Sequence, residues 1–203
     1  MTDPTHGGAN RVGTVERATS ESSIVCTVDL DGTGRADIDT GLPFFDHMLT
    51  ALTVHGRFDI KLHANGDTEV DAHHTVEDTG IVLGKAFKQA LGDRAGIERY
   101  GHAMIPMDEA LGFCAVDVSG RPYLVFDAVF PQERVGDFDT CMAEEFFRAL
   151  SDNAGFTLHL RCPYGKNAHH MIEALFKACA HALCDATAEN STGAALSTKG
   201  TLA

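Results

Sequence analysis

The sequence predicts an α+β fold of two similar halves from an internal duplication, each a β-sheet backed by helices, packed as one layered domain. Three observations carry this. The chain has 203 residues, 44% hydrophobic and 22% charged, which fits a domain with a packed core and excludes global disorder. Segments of strand-like alternation are interleaved with segments of helical spacing. The order of segments also occurs twice. Laying Phe58 on Phe156 puts Asp46–Leu52 on Glu144–Leu150 and Phe58–Leu62 on Phe156–Leu160. After a two-residue gap, His73-His74-Thr-Val-Glu77 falls on His169-His170-Met-Ile-Glu173.

Residues 1–10 are polar and Gly-rich and read as a flexible arm without a signal-peptide pattern. The first half spans 11–92. Ile24, Cys26, Val28 and Leu30 share one face, and Asp31-Gly-Thr-Gly34 is a turn, so 14–40 reads as a β-hairpin. Asp46–Val54 is a short apolar helix. Phe58–Ala64 alternates as a strand, and Asn65-Gly66 predicts a turn into Thr68–Asp71. Val76, Ile81, Leu83, Ala86, Phe87, Ala90 and Leu91 predict a helix over 73–91, ended by Gly92–Gly96. The second half spans 93–186, with strands at about 100–107, 110–118 and 123–130, then helix 141–152, strand 156–161 and helix 169–186. A small, polar tail covers 187–203.

Charge and cysteine usage bound the function. Sixteen Lys and Arg against 29 Asp and Glu leave a net charge of −13, against a general nucleic-acid or anionic-membrane binder. No stretch reaches 18 apolar residues, so no transmembrane helix is expected. The six cysteines form no CxxC pair and read as small buried hydrophobes in a reducing cytoplasm.

The chemical signal lies in the 11 histidines. His73 and Glu77, and likewise His169 and Glu173, stand at i and i+4 and share a helix face. Each pair offers an imidazole and a carboxylate to one ion. His74 and His170 point about 100° round the helix, toward a different ion. The repeat makes His47 and Glu145 equivalents on the short helices. Eight side chains result, His47, His73, His74, Glu77, Glu145, His169, His170 and Glu173, enough for two sites of four ligands. Imidazole and carboxylate without thiolate suit Mn²⁺, Fe²⁺ or Zn²⁺. His55, eight residues after His47, is a candidate to reach a substrate. Arg99, Arg121 and Lys199 each stand beside Gly or in a turn, and together look like a phosphate clamp. Met107-Asp108-Glu109 offers carboxylates, and Glu21 is a candidate general base.

These residues together resemble the imidazoleglycerol-phosphate dehydratase family. The matching segments, in order, are Arg17-Ala-Thr-Ser-Glu21, Phe45-Asp-His47-Met-Leu, Asp71-Ala-His73-His74-Thr-Val-Glu77-Asp78, Gly96-Ile-Glu-Arg99-Tyr-Gly, Pro106-Met-Asp-Glu-Ala, Ser119-Gly-Arg121-Pro-Tyr, Glu145-Phe-Phe-Arg, Gly165-Lys-Asn-Ala-His169-His170-Met-Ile-Glu173-Ala and Ser197-Thr-Lys199-Gly200. The resemblance implies dehydration of D-erythro-imidazole-glycerol phosphate to imidazole acetol phosphate in L-histidine biosynthesis. It implies two Mn²⁺ ions per active site, held by the eight residues above, and trimers built into a 24-subunit homo-oligomer with metals at interfaces. It implies catalytic roles for Glu21 and Glu173. Glu21, His47, His55, His73, Arg99, Arg121, Ser197 and Lys199 are then the substrate contacts, and the tail contributes to the site. This chain has Glu145 where many members have His, and Leu196 and Tyr100 where Pro and Phe are usual.

Two other classes use the same residues. A metal-dependent hydrolase of a phosphorylated small molecule would release phosphate or a water-added product. A non-catalytic metal-storage cage would not need Arg99, Arg121 and Lys199.

Overall fold

The computed structural model describes residues 11–202, so the arm expected over 1–10 lies outside the described residues. The first half runs β1 (Val12–Ala18), β2 (Ser22–Asp29), β3 (Ala36–Asp39), α1 (Pro43–Gly56), β4 (Asp59–Gly66) and α2 (His73–Leu91). The second runs β5 (Tyr100–Met107), β6 (Ala110–Asp117), β7 (Tyr123–Ala128), the short β8 (Arg134–Val135) and β9 (Phe138–Asp139), α3 (Met142–Ala154), β10 (Thr157–Cys162) and α4 (Ala168–Thr187). Apart from β8 and β9, both halves spell βββαβα. Their sheets are ordered β1-β2-β4-β3 and β5-β6-β10-β7. In each, the fourth strand is antiparallel to the second and parallel to the third. The parallel pair follows from the helical crossover, α1 between β3 and β4 and α3 between β7 and β10.

Alternation sends Ile24, Cys26 and Val28 of β2, and Leu158 and Leu160 of β10, inward. There α2 covers β1, β2 and β4, and α4 covers β5, β6 and β10. The helices then pair crosswise between halves, α1 with α4 and α2 with α3. The result is sheet, helices, helices, sheet. Phe45, Phe58, Phe87, Phe146, Phe147, Phe156 and Phe176 are fully buried. Phe87 of one half meets Phe156 of the other at 6.1 Å between ring centroids. Each such side chain contributes about 1.5–3 kcal/mol by burial. Both sheets also approach their helix through a glycine. A Cβ on Gly13 would lie 2.1 Å from the Ala86 carbonyl oxygen, and one on Gly101 1.9 Å from that of Ala182.

Two local expectations are corrected. Asn65-Gly66 is not a turn: β4 runs through Gly66, and Thr68–Asp71 forms no strand. Asn65 and Gly66 stay paired with Ser23 and Ser22 of β2, and Gly66 lies so close to Thr75 Oγ1 that a Cβ would sit 2.2 Å from it. The 14–40 segment is a hairpin only to Asp29, with β3 a separate strand parallel to β4. Asp59 Oδ1 accepts the N–H groups of Thr33 (2.6 Å) and Arg35 (2.9 Å), which fixes the loop that carries the chain from β2 past the start of β4 to β3.

Candidate active site

Both histidine motifs open a helix, and both are capped from the same repeat position. Asp71 Oδ1 accepts the His73 N–H at 2.7 Å, and Asn167 Oδ1 accepts the His169 N–H at 3.0 Å. The helical turn then brings His73 Nε2 to 3.8 Å from Glu77 Oε2, and His169 Nε2 to 3.2 Å from Glu173 Oε2.

The crosswise packing supplies a third group. His47 on α1 lies over α4, with Nε2 3.5 Å from Glu173 Oε2. Donor atoms of His47, His169 and Glu173 all fall within 4.8 Å of one another. Phe44 packs edge-on against the His169 ring at 5.0 Å and gives the group an apolar wall. Burial pushes the Glu173 carboxyl up, but Lys177, His47 and His169 outweigh it, so the group ionises below its ordinary range. Lys177 Nζ holds Glu173 Oε1 at 2.6 Å, which leaves Oε2 to face the two imidazoles. Two imidazoles and a carboxylate converging without thiolate fit a divalent ion of the Mn²⁺, Fe²⁺ or Zn²⁺ class.

The repeat counterpart is looser. Glu145 lies in the first turn of α3, which packs along α2 where Phe146 and Ala149 meet Gly80. His73 and Glu77 stand on α2, yet among the described residues only the His47 group brings three donors within reach of one ion. The His74 and His170 rings stand edge-on to those of His73 and His169, with ring planes at 83° and 81°. Each Nδ1 meets a carboxylate. His74 Nδ1 lies 3.0 Å from Asp67 Oδ2, and His170 Nδ1 lies 2.7 Å from Glu109 Oε2. These contacts raise both imidazole pKa values above the ordinary range. Glu21, in the β1–β2 turn, places Oε1 3.9 Å from His74 Nε2.

His55 stands apart from His47, about 12 Å along α1 by helical rise. It packs against His181 at 5.5 Å between rings. Burial, then the charges of Lys177 and His181, lower its pKa.

The four anion-binding candidates meet in one cavity of about 590 Å³ lined by Arg99, Arg121, Ser197 and Lys199. The tail is held there by backbone bonds, Asn190 N–H to Gly96 O at 2.7 Å among them. Arg99 donates to Asp117 through Nε (2.7 Å) and Nη2 (3.0 Å), and to the Leu196 carbonyl through Nη1 (2.6 Å). Asp117 raises the Arg99 pKa, so the guanidinium is a fixed cation at the rim.

Sequence reasoning missed Asp67, Asp117 and Lys177. Lys177 had a signal, since it stands at i+4 from Glu173 on the same face. Asp67 and Asp117 had none, because each reaches its partner across a loop or a strand end.

A family model described as imidazoleglycerol-phosphate dehydratase matches residues 40–183. A protein of that name from Symbiobacterium thermophilum is 61% identical over 195 residues, 96% of this chain and 94% of its own. Another, from Gluconobacter oxydans, is 55% identical, covering 95% of this chain and 98% of its own. Two crystal structures of imidazoleglycerol-phosphate dehydratases superpose. The Staphylococcus aureus structure has a TM-score of 0.80 at 40% identity, over 88% of this chain and 99% of its own. The Pyrococcus furiosus structure, a complex with (S)-C348, has a TM-score of 0.81 at 34% identity, over 93% and 100%.

Proposed function

Because this chain belongs to the imidazoleglycerol-phosphate dehydratase family, we propose that it is the hydro-lyase that converts D-erythro-imidazole-glycerol phosphate to imidazole acetol phosphate in L-histidine biosynthesis, with two Mn²⁺ ions per active site. The observation that carries the metal reading is the convergence of His47, His169 and Glu173 from helices of opposite halves. When bound, Mn²⁺ supplies Lewis acidity toward a ring nitrogen of the substrate imidazole.

The chain's own residues do the rest. Arg99, Arg121, Ser197 and Lys199 hold the phosphate in the cavity they share and so orient the glycerol chain. His47 and His73 stand beside Glu173 and Glu77, on the side where the imidazole ring docks. Glu21 moves the carbon-bound proton, Glu173 acts beside the ring, and His55 reaches the substrate from the end of α1. One C–H and the neighbouring C–O bond break, water leaves, and the enol tautomerises to the ketone.

The same reading takes the protein as a homo-oligomer of 24 subunits built from trimers, with metals at interfaces. It is supported by His74 and His170, which are partly exposed and stand outside the three-donor group on α1 and α4. It places the protein in the cytoplasm, supported by six free thiols. No helix among the described residues is long and apolar enough to cross a membrane.

The test is dehydration of imidazole-glycerol phosphate by metal-depleted protein, with and without added Mn²⁺, and by His73→Ala. Activity should appear only with Mn²⁺ and fall sharply in the variant. Full activity without metal sinks the manganese reading, and release of inorganic phosphate sinks the dehydration.

A further inference from the structure

The two long helices carry a matched pair of histidine–carboxylate contacts, made by Asp67 from the β4–α2 loop and by Glu109 from the β5–β6 turn, and neither of these two carboxylates has a role in the proposed chemistry. At the second half, Glu109 Oε2 lies 2.7 Å from His170 Nδ1, while His170 Nε2 points toward Asp108 Oδ2 at 3.7 Å. At the first half, Asp67 Oδ2 lies 3.0 Å from His74 Nδ1, while His74 Nε2 points toward Glu21 at 3.9 Å. A carboxylate only accepts hydrogen bonds, so each facing Nδ1 carries the ring proton. In the neutral imidazole the lone pair is then left on Nε2. Both rings therefore present the same nitrogen, each toward a carboxylate on the β1–β2 or β5–β6 turn.

We infer that Glu109 and Asp67 are positioning residues that fix His170 and His74 in the Nδ1-protonated tautomer and so make Nε2 the metal-binding nitrogen. The inference rests on the metal reading above. Partners of this kind orient ligand imidazoles generally, and their loss typically costs 10–100-fold in metal affinity.

The two devices differ in a way that makes the idea testable. Glu109 has both oxygens committed. Its Oε1 accepts the N–H groups of Lys166 (2.9 Å) and Asn167 (2.8 Å) and ties down the loop before α4. In Glu109→Gln the carbonyl keeps those two bonds, and the amide NH₂ turns to His170. An amide NH₂ donates, so Nδ1 has to accept, and the proton moves to Nε2, the nitrogen a metal needs. Asp67 faces His74 Nδ1 with both oxygens, at 3.0 and 3.2 Å. In Asp67→Asn the carbonyl can rotate to accept from Nδ1, and the tautomer survives.

The experiment measures Mn²⁺ binding to the full-length protein by equilibrium dialysis with electron paramagnetic resonance of the free ion. Wild type, Glu109→Gln and Asp67→Asn are compared, with the melting temperature of each metal-free protein as the folding control. Glu109→Gln should lose affinity by about 10–100-fold at its weakened site, and Asp67→Asn should stay within about threefold. Equal Mn²⁺ affinity in Glu109→Gln and wild type overturns the inference, as does an equal loss in both variants, which would mean that only charge matters. A wild type that binds no Mn²⁺ refutes the metal reading instead. Solid-state ¹⁵N spectra of histidine-labelled, metal-free wild type at alkaline pH give a second readout that needs no variant to fold. A His170 signal, identified by its absence in His170→Asn, should show Nδ1 protonated; Nε2 protonation overturns the inference.

Discussion

Asp117→Asn is the sharpest probe of the phosphate cavity, because Asp117 touches no substrate in the proposed role and acts through the cations it holds, Arg99 by two hydrogen bonds and Arg121 Nη2 at 3.6 Å. The aspartate receives two of the three hydrogen bonds that Arg99 makes. Their side chains are 18% and 12% exposed, so water screens the pair only in part. Hydrogen bonds to a charged group contribute about 1.5–3 kcal/mol, and asparagine keeps one acceptor while turning an N–H donor toward the guanidinium. About 1–2 kcal/mol of alignment is lost. At 1.4 kcal/mol per decade this is roughly a 5- to 30-fold weaker hold on the phosphate. The phosphate is remote from the bonds that break, so the loss is uniform binding: KM rises by that factor and kcat changes little. Steady-state dehydration kinetics give the split, and inorganic phosphate as competitive inhibitor should lose affinity by the same factor. An unchanged KM with a reduced kcat would refute the reasoning, since it would move the Arg99 and Arg121 pair held by Asp117 from phosphate anchoring to the chemical step.

Mn²⁺ at about 100 times its Kd should stabilise the protein by about 2.7 kcal/mol, a rise of several degrees in Tm at fixed protein concentration, and chelation should reverse it. His47→Ala should abolish most of that rise in a calorimetric scan, and a full rise in the variant would remove His47 from the metal site. Glu109 is held down to about 2, first by its bond to His170 and then by the loop amides. A carboxyl depressed on folding stabilises above its unfolded pKa near 4.3, and that contribution fades as pH falls from there toward 2. Denaturant midpoints of metal-free protein between pH 5 and 2 should therefore decline less steeply in Glu109→Gln; parallel slopes would count against the assignment. Gly101→Ala would set a carbon 1.9 Å from the Ala182 carbonyl oxygen and force β5 off α4. It should cost about 1–3 kcal/mol or more, read as a lowered Tm, and an unchanged Tm would show that the strand yields freely.

The helices were the most legible part of the chain. The spacing of Val76, Leu83, Phe87 and Leu91 predicts 73–91, which is the observed extent of α2. The repeat was legible because helix face, strand alternation and the HHxxE motif recur at matching positions; the shared cap at Asp71 and Asn167 is visible only in the structure. The Asn65-Gly66 turn was misread because local turn chemistry lost to strand pairing with Ser22 and Ser23. The crosswise helix pairing was not legible at all. Periodicity says that Phe146 and Phe176 are buried, and not that one lies against the other at 5.1 Å. For the same reason the spacing nominated eight ligands without sorting them, whereas His47 is placed with His169 and Glu173 only by α1 lying on α4.

That pairing also constrains when the protein can come together during synthesis. α1 waits for α4, whose end follows the end of α1 by 131 residues, so at 5–20 residues per second its partner is complete about 6–26 s later. A nascent chain holding only the first sheet carries α1 and α2 with the faces that belong to α4 and α3 still open to water. Such a chain offers His47 to solvent without His169 or Glu173 beside it, and it has no three-donor group with which to capture an ion. Closure of that group therefore reports that the last helix has emerged and docked.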